Sequence, residues 1–142
     1  MPIFREQVKM KMTLKDYLTK LKVGLPKTMV HLDKQVYEAG SIINGTIEIT
    51  GGLLKNKIKR YDIDLVEIDS KAFVEETLNS HSVFCSLECS PNQTGRITFF
   101  IDVPDDIKKN QNTFQYSLMI NIDLGNANNI TQNVPIMIGA VS

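Results

Sequence analysis

The sequence has 142 residues, with 16 basic and 16 acidic side chains, 42% apolar residues and no tryptophan. That length matches one domain of ordinary size, with enough chain to bury a core without disulfides or a metal. Zero formal charge excludes the global basic field that holds nucleic-acid backbones, and no stretch approaches the roughly 20 consecutive apolar residues that span a bilayer.

The charge is unevenly divided. Residues 1–27 carry seven basic side chains against two acidic ones, a net of +5, and the remainder carries the matching −5. A basic leader of this kind meets either an anionic lipid surface or an acidic domain. Its charges run throughout and it lacks an apolar stretch of roughly 7–15 residues, so it does not read as a secretory signal, and a cytoplasmic location is expected. Within the leader, Thr13 and Asp16 make a capping-box-like start. Leu14, Tyr17, Leu18 and Leu21 then fall on one helical face, and Gly24 and Pro26 stop the run. A helix over residues 13–22 is marginal alone. Its leucine face must dock on its own domain, on a protein partner or second copy, or at an anionic membrane surface. Leu14, Tyr17, Leu18 and Leu21 are therefore candidate partner-binding residues. The expected division is a leader over residues 1–27 and one sandwich domain over 28–142.

Beyond the leader the pattern is alternation. Met29 to Leu32 reads as a first strand. Ile43, Gly45, Ile47 and Ile49 alternate with Asn44, Thr46, Glu48 and Thr50, giving one apolar and one wet face. Gly51-Gly52 ends that strand. The next run starts near Ile58 and places Tyr61, Ile63 and Leu65 on one face, with Val66 and Ile68 out of phase. Either a β-bulge near Leu65 or burial of both faces restores the pattern. Ala72–Leu78 and Val83–Cys89 read as two further strands joined around Asn79-Ser80-His81. Ile97, Phe99, Ile101 and Val103 alternate up to Pro104. Phe114, Tyr116, Leu118, Ile120 and Ile122 form the cleanest apolar face, and Ile130, Val134, Ile136 and Ile138 close the chain. Pro135 cannot donate to a ladder, so its strand should lie at an edge or carry a bulge. Seven or eight strands at roughly 8–12-residue spacing predict an all-β, immunoglobulin-like antiparallel sandwich, with the short N-terminal helix as its one exception.

Cys85 and Cys89 share a strand phase but sit about 13 Å apart at ~3.3 Å per residue, too far for a disulfide. They read as small core thiols. His31 and His81 have no thiol or carboxylate at ligand spacing, and no hydrolase elbow, zinc-protease or phosphate-loop motif occurs. Asp62, Asp64 and Asp69 are the one acidic group that invites a metal-dependent site, against the alternative of a solvated outer face. Lys55, Lys57, Lys59, Arg60 and Lys108-Lys109 read as solvated charge, and Glu48, Lys57 and Lys59 as possible protectors of a strand edge. No cofactor is expected, and the chain does not read as an enzyme.

One stretch carries a resemblance. Leu32, Lys34, Tyr37, Gly40, Ile43, Gly45, Ile47 and Ile49 stand in the pattern L-x-K-x-x-Y-x-x-G-x-x-V-x-G-x-V-x-I, with isoleucine for valine. This resembles the arrestin-type N-terminal signature. The continuation through Gly51-Gly52, Ile58, Ile63 and Leu65, the leader helix and the closing strand are similar to the bacterial sporulation-control (stage zero M) branch of the arrestin-like clan. The chain departs from that pattern at its corner, where Ala39-Gly40-Ser41 replaces the usual Pro-Gly-Glu, and in carrying the length of one sandwich where the family has two in tandem. In physical terms Tyr37 caps the sandwich with its hydroxyl on backbone, Gly40 makes the turn, and Gly45 admits a crowded neighbour. The resemblance implies an arrestin-like sandwich with a non-enzymatic, regulatory, protein-binding and scaffolding role. Protein partners are expected, with a homo-oligomer through sheet edges or the leader helix as a further option, no nucleic acid, and a peripheral membrane adaptor or the metal site at Asp62/Asp64/Asp69 as alternatives.

Overall fold

The computed structural model describes residues 24–107, 114–125 and 128–139. The helix expected over residues 13–22, with Leu14, Tyr17, Leu18 and Leu21, lies outside the described residues, as do Lys108 and Lys109. Among the described residues there are eight strands: β1 (Lys27–Leu32), β2 (Val36–Glu38), β3 (Ile42–Thr50), β4 (Asn56–Asp69), β5 (Val74–Cys89), β6 (Thr94–Asp102), β7 (Phe114–Asp123) and β8 (Asn129–Gly139). They form a three-stranded sheet, β1-β3-β6, and a five-stranded sheet, β2-β8-β7-β4-β5. All pairings are antiparallel except β2 with β8. The all-β reading of the sequence is the fold observed.

The alternation explains the layering. Residues 43, 45, 47 and 49 of β3 and 97, 99 and 101 of β6 are buried, and Leu118, Ile120 and Ile122 of β7 meet them from the other sheet together with Ile63 and Leu65 of β4. Each sheet hides one face and wets the other. Gly45 lies at a crowded point of this interior, because a Cβ there would overlap the Phe99 ring and crowd Leu32.

Two local expectations change, and the open choice at Leu65 is resolved. The break at Asn79-Ser80-His81 does not occur, and β5 runs unbroken for 16 residues. Asn79 donates its amide to the Asp102 carbonyl at 3.0 Å, and the His81 ring stands 5.8 Å from that of Phe100, so these polar residues have strand-compatible partners where β5 leans on β6. The phase slip at Leu65/Val66 does not come from a bulge in β4, whose register with β7 is continuous from Arg60 to Asp69. Val66 and Glu67 are buried along with Leu65, so both faces of β4 are covered there. The surplus lies in β5: Ile58 faces Leu87 but Arg60 faces Phe84, and Leu65 faces Asn79 but Val66 faces Thr77. Each step leaves one extra residue on β5 and increases its local coil. Finally, Glu48, Lys57 and Lys59 do not protect edges, since β3 and β4 are both interior strands. Pro135 stands where β8 is open on one side, because β2 covers only Met137–Gly139.

Between β1 and β3 the chain makes a corner. Tyr37, 1% exposed, donates its hydroxyl to Asp33 Oδ1 at 2.5 Å and accepts the Lys34 backbone N–H at 3.1 Å. Gly40 turns the chain at φ +82°, against the Asp105 carboxylate. The tyrosine and the glycine therefore take the roles their spacing implied.

Candidate functional site

The sheet order leaves β5 as the outermost strand of the larger sheet, paired only to β4. It leans on β6 near Asn79 and His81, and among the described residues no further strand pairs with its outer edge. An open edge is a row of unpaired N–H and C=O groups ready to accept another strand. At the hairpin tip, Asp69 Oδ1 accepts the N–H groups of Lys71 and Ala72 at 3.0 and 3.2 Å, which sets the turn. Phe73 follows at φ +55° and is 91% exposed. A bulky side chain in the left-handed region is a genuine outlier, and here it holds an aromatic ring out in water.

The outward side of β5 continues this surface. Phe84 is 76% exposed, with the Arg60 guanidinium 5.1 Å above its ring. Arg60 Nε also donates to Asp62 Oδ1 at 2.8 Å, so one cation serves an aromatic face and a carboxylate. Burial works to raise the Asp62 carboxyl, but the Ser82 hydroxyl and the Arg60 charge hold it below the ordinary value. Ser80 donates to Asp64 at 2.5 Å. Val74 and Leu87 add exposed apolar surface at the two ends.

The charge on this strand has one sign. β5 contains Glu75, Glu76 and Glu88 and no lysine or arginine. Glu88 is met by Lys55 at 3.1 Å. Glu76 stands directly across from Glu67, a 5%-exposed carboxylate that accepts the Tyr116 hydroxyl at 3.1 Å. Like charges opposed across a pair of strands are unfavourable, so this end of β5 favours an incoming cation. Burial, then the Glu67 carboxylate, pushes the Tyr116 phenol well above its usual range.

Asp62, Asp64 and Asp69 are not brought together. Asp62 is engaged by Arg60, Asp64 by Ser80 and Asp69 by its own turn. Among the described residues no group of three histidine, cysteine or acidic side chains is placed to hold a metal ion. Cys89 is buried and Cys85 half-buried, both are free, and burial raises both thiols. His31 Nε2 lies 3.7 Å from Glu48, which also takes Arg96 at 3.1 Å. Among the described residues no helix is long and apolar enough to cross a membrane. A recess of about 200 Å³ opens between the end of β5 and the start of β6, floored by Ile49, Ile58 and Ile97.

Sequence reasoning missed β5 as a candidate surface, since an edge is a property of sheet order and not of a local pattern. The absence of lysine and arginine from Val74 to Cys89 was the available signal. It also missed Glu67, whose place in the odd phase of Tyr61, Ile63 and Leu65 marks it as inward-facing.

Comparison with known proteins places these features in context. The family model described as arrestin (or S-antigen), C-terminal domain, matches residues 22–142. The signature at residues 32–49 was of the N-terminal type, whereas the matching model is that of the C-terminal domain. A search of the curated proteins finds no match. Among solved structures, the chain is similar to Spo0M, a sporulation control protein from Bacillus subtilis, with a TM-score of 0.73 at 19% identity. That similarity covers 84% of this chain and 51% of the other, so the chain spans about half the length of the structure it matches.

Proposed function

This chain belongs to the arrestin family through its C-terminal-domain class, and on that premise we propose that it is a non-enzymatic regulatory module that binds protein partners in the cytoplasm. The observation that carries the reading is the open edge of β5, flanked by the exposed rings of Phe73 and Phe84. Main-chain hydrogen bonds from an added strand would supply affinity, and the alternating side chains would supply selectivity. The similar fold of Spo0M, itself a sporulation control protein, supports a regulatory assignment. The proposed division is a basic leader over residues 1–27 and a sandwich over 28–142, with Leu14, Tyr17, Leu18 and Leu21 as a second contact surface.

A photo-reactive phenylalanine analogue tests this reading. Placed at position 84 of the full chain, it should capture a discrete set of cytoplasmic proteins. Placed at Met29, an exposed residue of the other sheet, it should not. Equal yields at both positions, or adducts at Met29 alone, overturn the assignment of β5 as the docking edge.

A further inference from the structure

The charges of the sandwich are sorted by end. Glu75, Glu76, Asp105 and Asp106 are exposed at the end that carries the β4–β5 turn and the Gly40 corner. At the other end, where β4 begins, Lys55, Lys57 and Lys59 are exposed and line one shallow recess with Leu124 and Gly125. Lys55 is met by Glu88, and among the described residues Lys57 and Lys59 have no ion-pair partner. Leu53 stands two residues before Lys55 and is 65% exposed. Its loop is pinned, because the Leu53 N–H donates to the Gly24 carbonyl at 3.2 Å and the Asn56 side-chain amide donates to the Leu54 carbonyl at 3.2 Å. The fold thus holds an apolar side chain in water beside unpaired cations. Gly24 is also where the basic leader enters the fold, next to the Leu53 side chain. Lys20, Leu21 and Lys22 precede Gly24 by two to four residues, so the tether keeps them at this end. We propose that this end of the molecule, made of Leu53, Lys55, Lys57, Lys59 and the leader, docks on an anionic lipid bilayer surface.

The mixture of groups selects the partner. A nucleic acid would engage the lysines and leave Leu53 in water. An acidic peptide would have to match Leu53 and the leader's Leu14, Tyr17, Leu18 and Leu21 with apolar groups of its own at fixed spacing. A fluid bilayer needs no such match, since its interface takes apolar side chains at the acyl boundary and lysines among the headgroups together. Each lysine near such a surface adds about fivefold in affinity. A single one holds little, and the several gathered here act jointly. The same charge sorting sets the orientation, because an anionic surface repels the end with Glu75, Glu76, Asp105 and Asp106. The sandwich therefore stands on its basic end, and the outer edge of β5 runs along its side, clear of the lipid.

Sedimentation of the full chain with vesicles tests this, using phosphatidylcholine alone and phosphatidylcholine with phosphatidylserine. The wild type should bind only the vesicles with phosphatidylserine and should be released as salt rises, because exposed charges are screened. Lys57→Gln/Lys59→Gln should bind roughly twentyfold more weakly, with an unchanged thermal melt because both side chains lie in water. Leu53→Ser should weaken binding about threefold and keep the salt dependence, since it removes apolar contact and no charge. Lys71→Gln, exposed at the acidic end, should bind as the wild type does. Inorganic phosphate in excess, at constant ionic strength, should leave the protein on the vesicles. Displacement by phosphate would make the recess a soluble-anion site and overturns the proposal. So do equal binding to neutral vesicles, binding to neither, or full binding by the double lysine variant, which would put attachment in the leader alone. Photo-capture at position 84 in a vesicle-free extract reads the β5 edge independently, so the failure of one reading is distinguishable from the failure of the other.

Discussion

Replacing Tyr37 by phenylalanine removes one oxygen atom and leaves the buried ring in place. The hydroxyl donates to Asp33 and accepts the Lys34 amide, so the change deletes one bond to a charged acceptor and one neutral bond. Such bonds contribute about 1.5–3 and 0.5–1.5 kcal/mol respectively. Asp33 and Lys34 are exposed, so water takes the place of the hydroxyl at both and each counts near its lower limit. The expected loss is about 2 kcal/mol, below the roughly 3–5 kcal/mol of emptying the site with alanine. Urea unfolding of wild type and Tyr37→Phe measures it. The pH dependence separates the hydrogen bond from packing. The Tyr37 hydroxyl holds the Asp33 carboxyl below its ordinary 3.8. That contribution is present above pH ~3.8 and is lost as pH falls through the lower folded value, so the gap between the two proteins should narrow in acid. Burial, then the Asp33 bond, pushes the Tyr37 phenol from 10 to about 12. Its contribution is intact below pH ~10 and lost between 10 and 12, so the wild type should decline more steeply than the phenylalanine variant in alkali. Equal stability at pH 7, or a gap that stays constant down to about pH 2, refutes the corner as a hydrogen-bonded lock.

Two further measurements follow from the core. Leu118 is fully buried at the centre of β7, so Leu118→Ala should cost about 2–5 kcal/mol in denaturant unfolding, and a loss under 1 kcal/mol would mean the β7 face is not the centre of packing. Burial raises both thiols, so alkylation of native Cys85 and Cys89 near pH 8 should run well below the rate of the unfolded chain, with Cys89 the slower of the two. Fast labelling of Cys89 in the native state would show that the β5 terminus opens.

Strands whose two faces differ were plain in the sequence. Ile43 to Ile49, Ile97 to Val103 and Tyr116 to Ile122 each keep one apolar phase, because each lies between a core and water. β4 and β5 were harder to read. Leu65, Val66 and Glu67 are buried in succession, which erases alternation, and the two surplus residues of β5 shift its phase relative to its partner. Asn79, Ser80 and His81 have the composition of a turn, yet a carbonyl on β6, an acid on β4 and a phenylalanine ring give all three a place within a strand. The Tyr37 corner was legible because its spacing is local. The acidic margin was not, since it needs the order of strands in space.

The three-residue clasp of β2 on β8 joins positions 36–38 to 137–139, across about a hundred intervening residues. Strand pairing over such a separation is slow to form, because the closure entropy precedes any contact energy. On a ribosome, the larger sheet therefore waits for its last strand to emerge. Until then the nascent molecule offers β7 as a second bare margin beside β5, and chaperone engagement should be strongest in that interval.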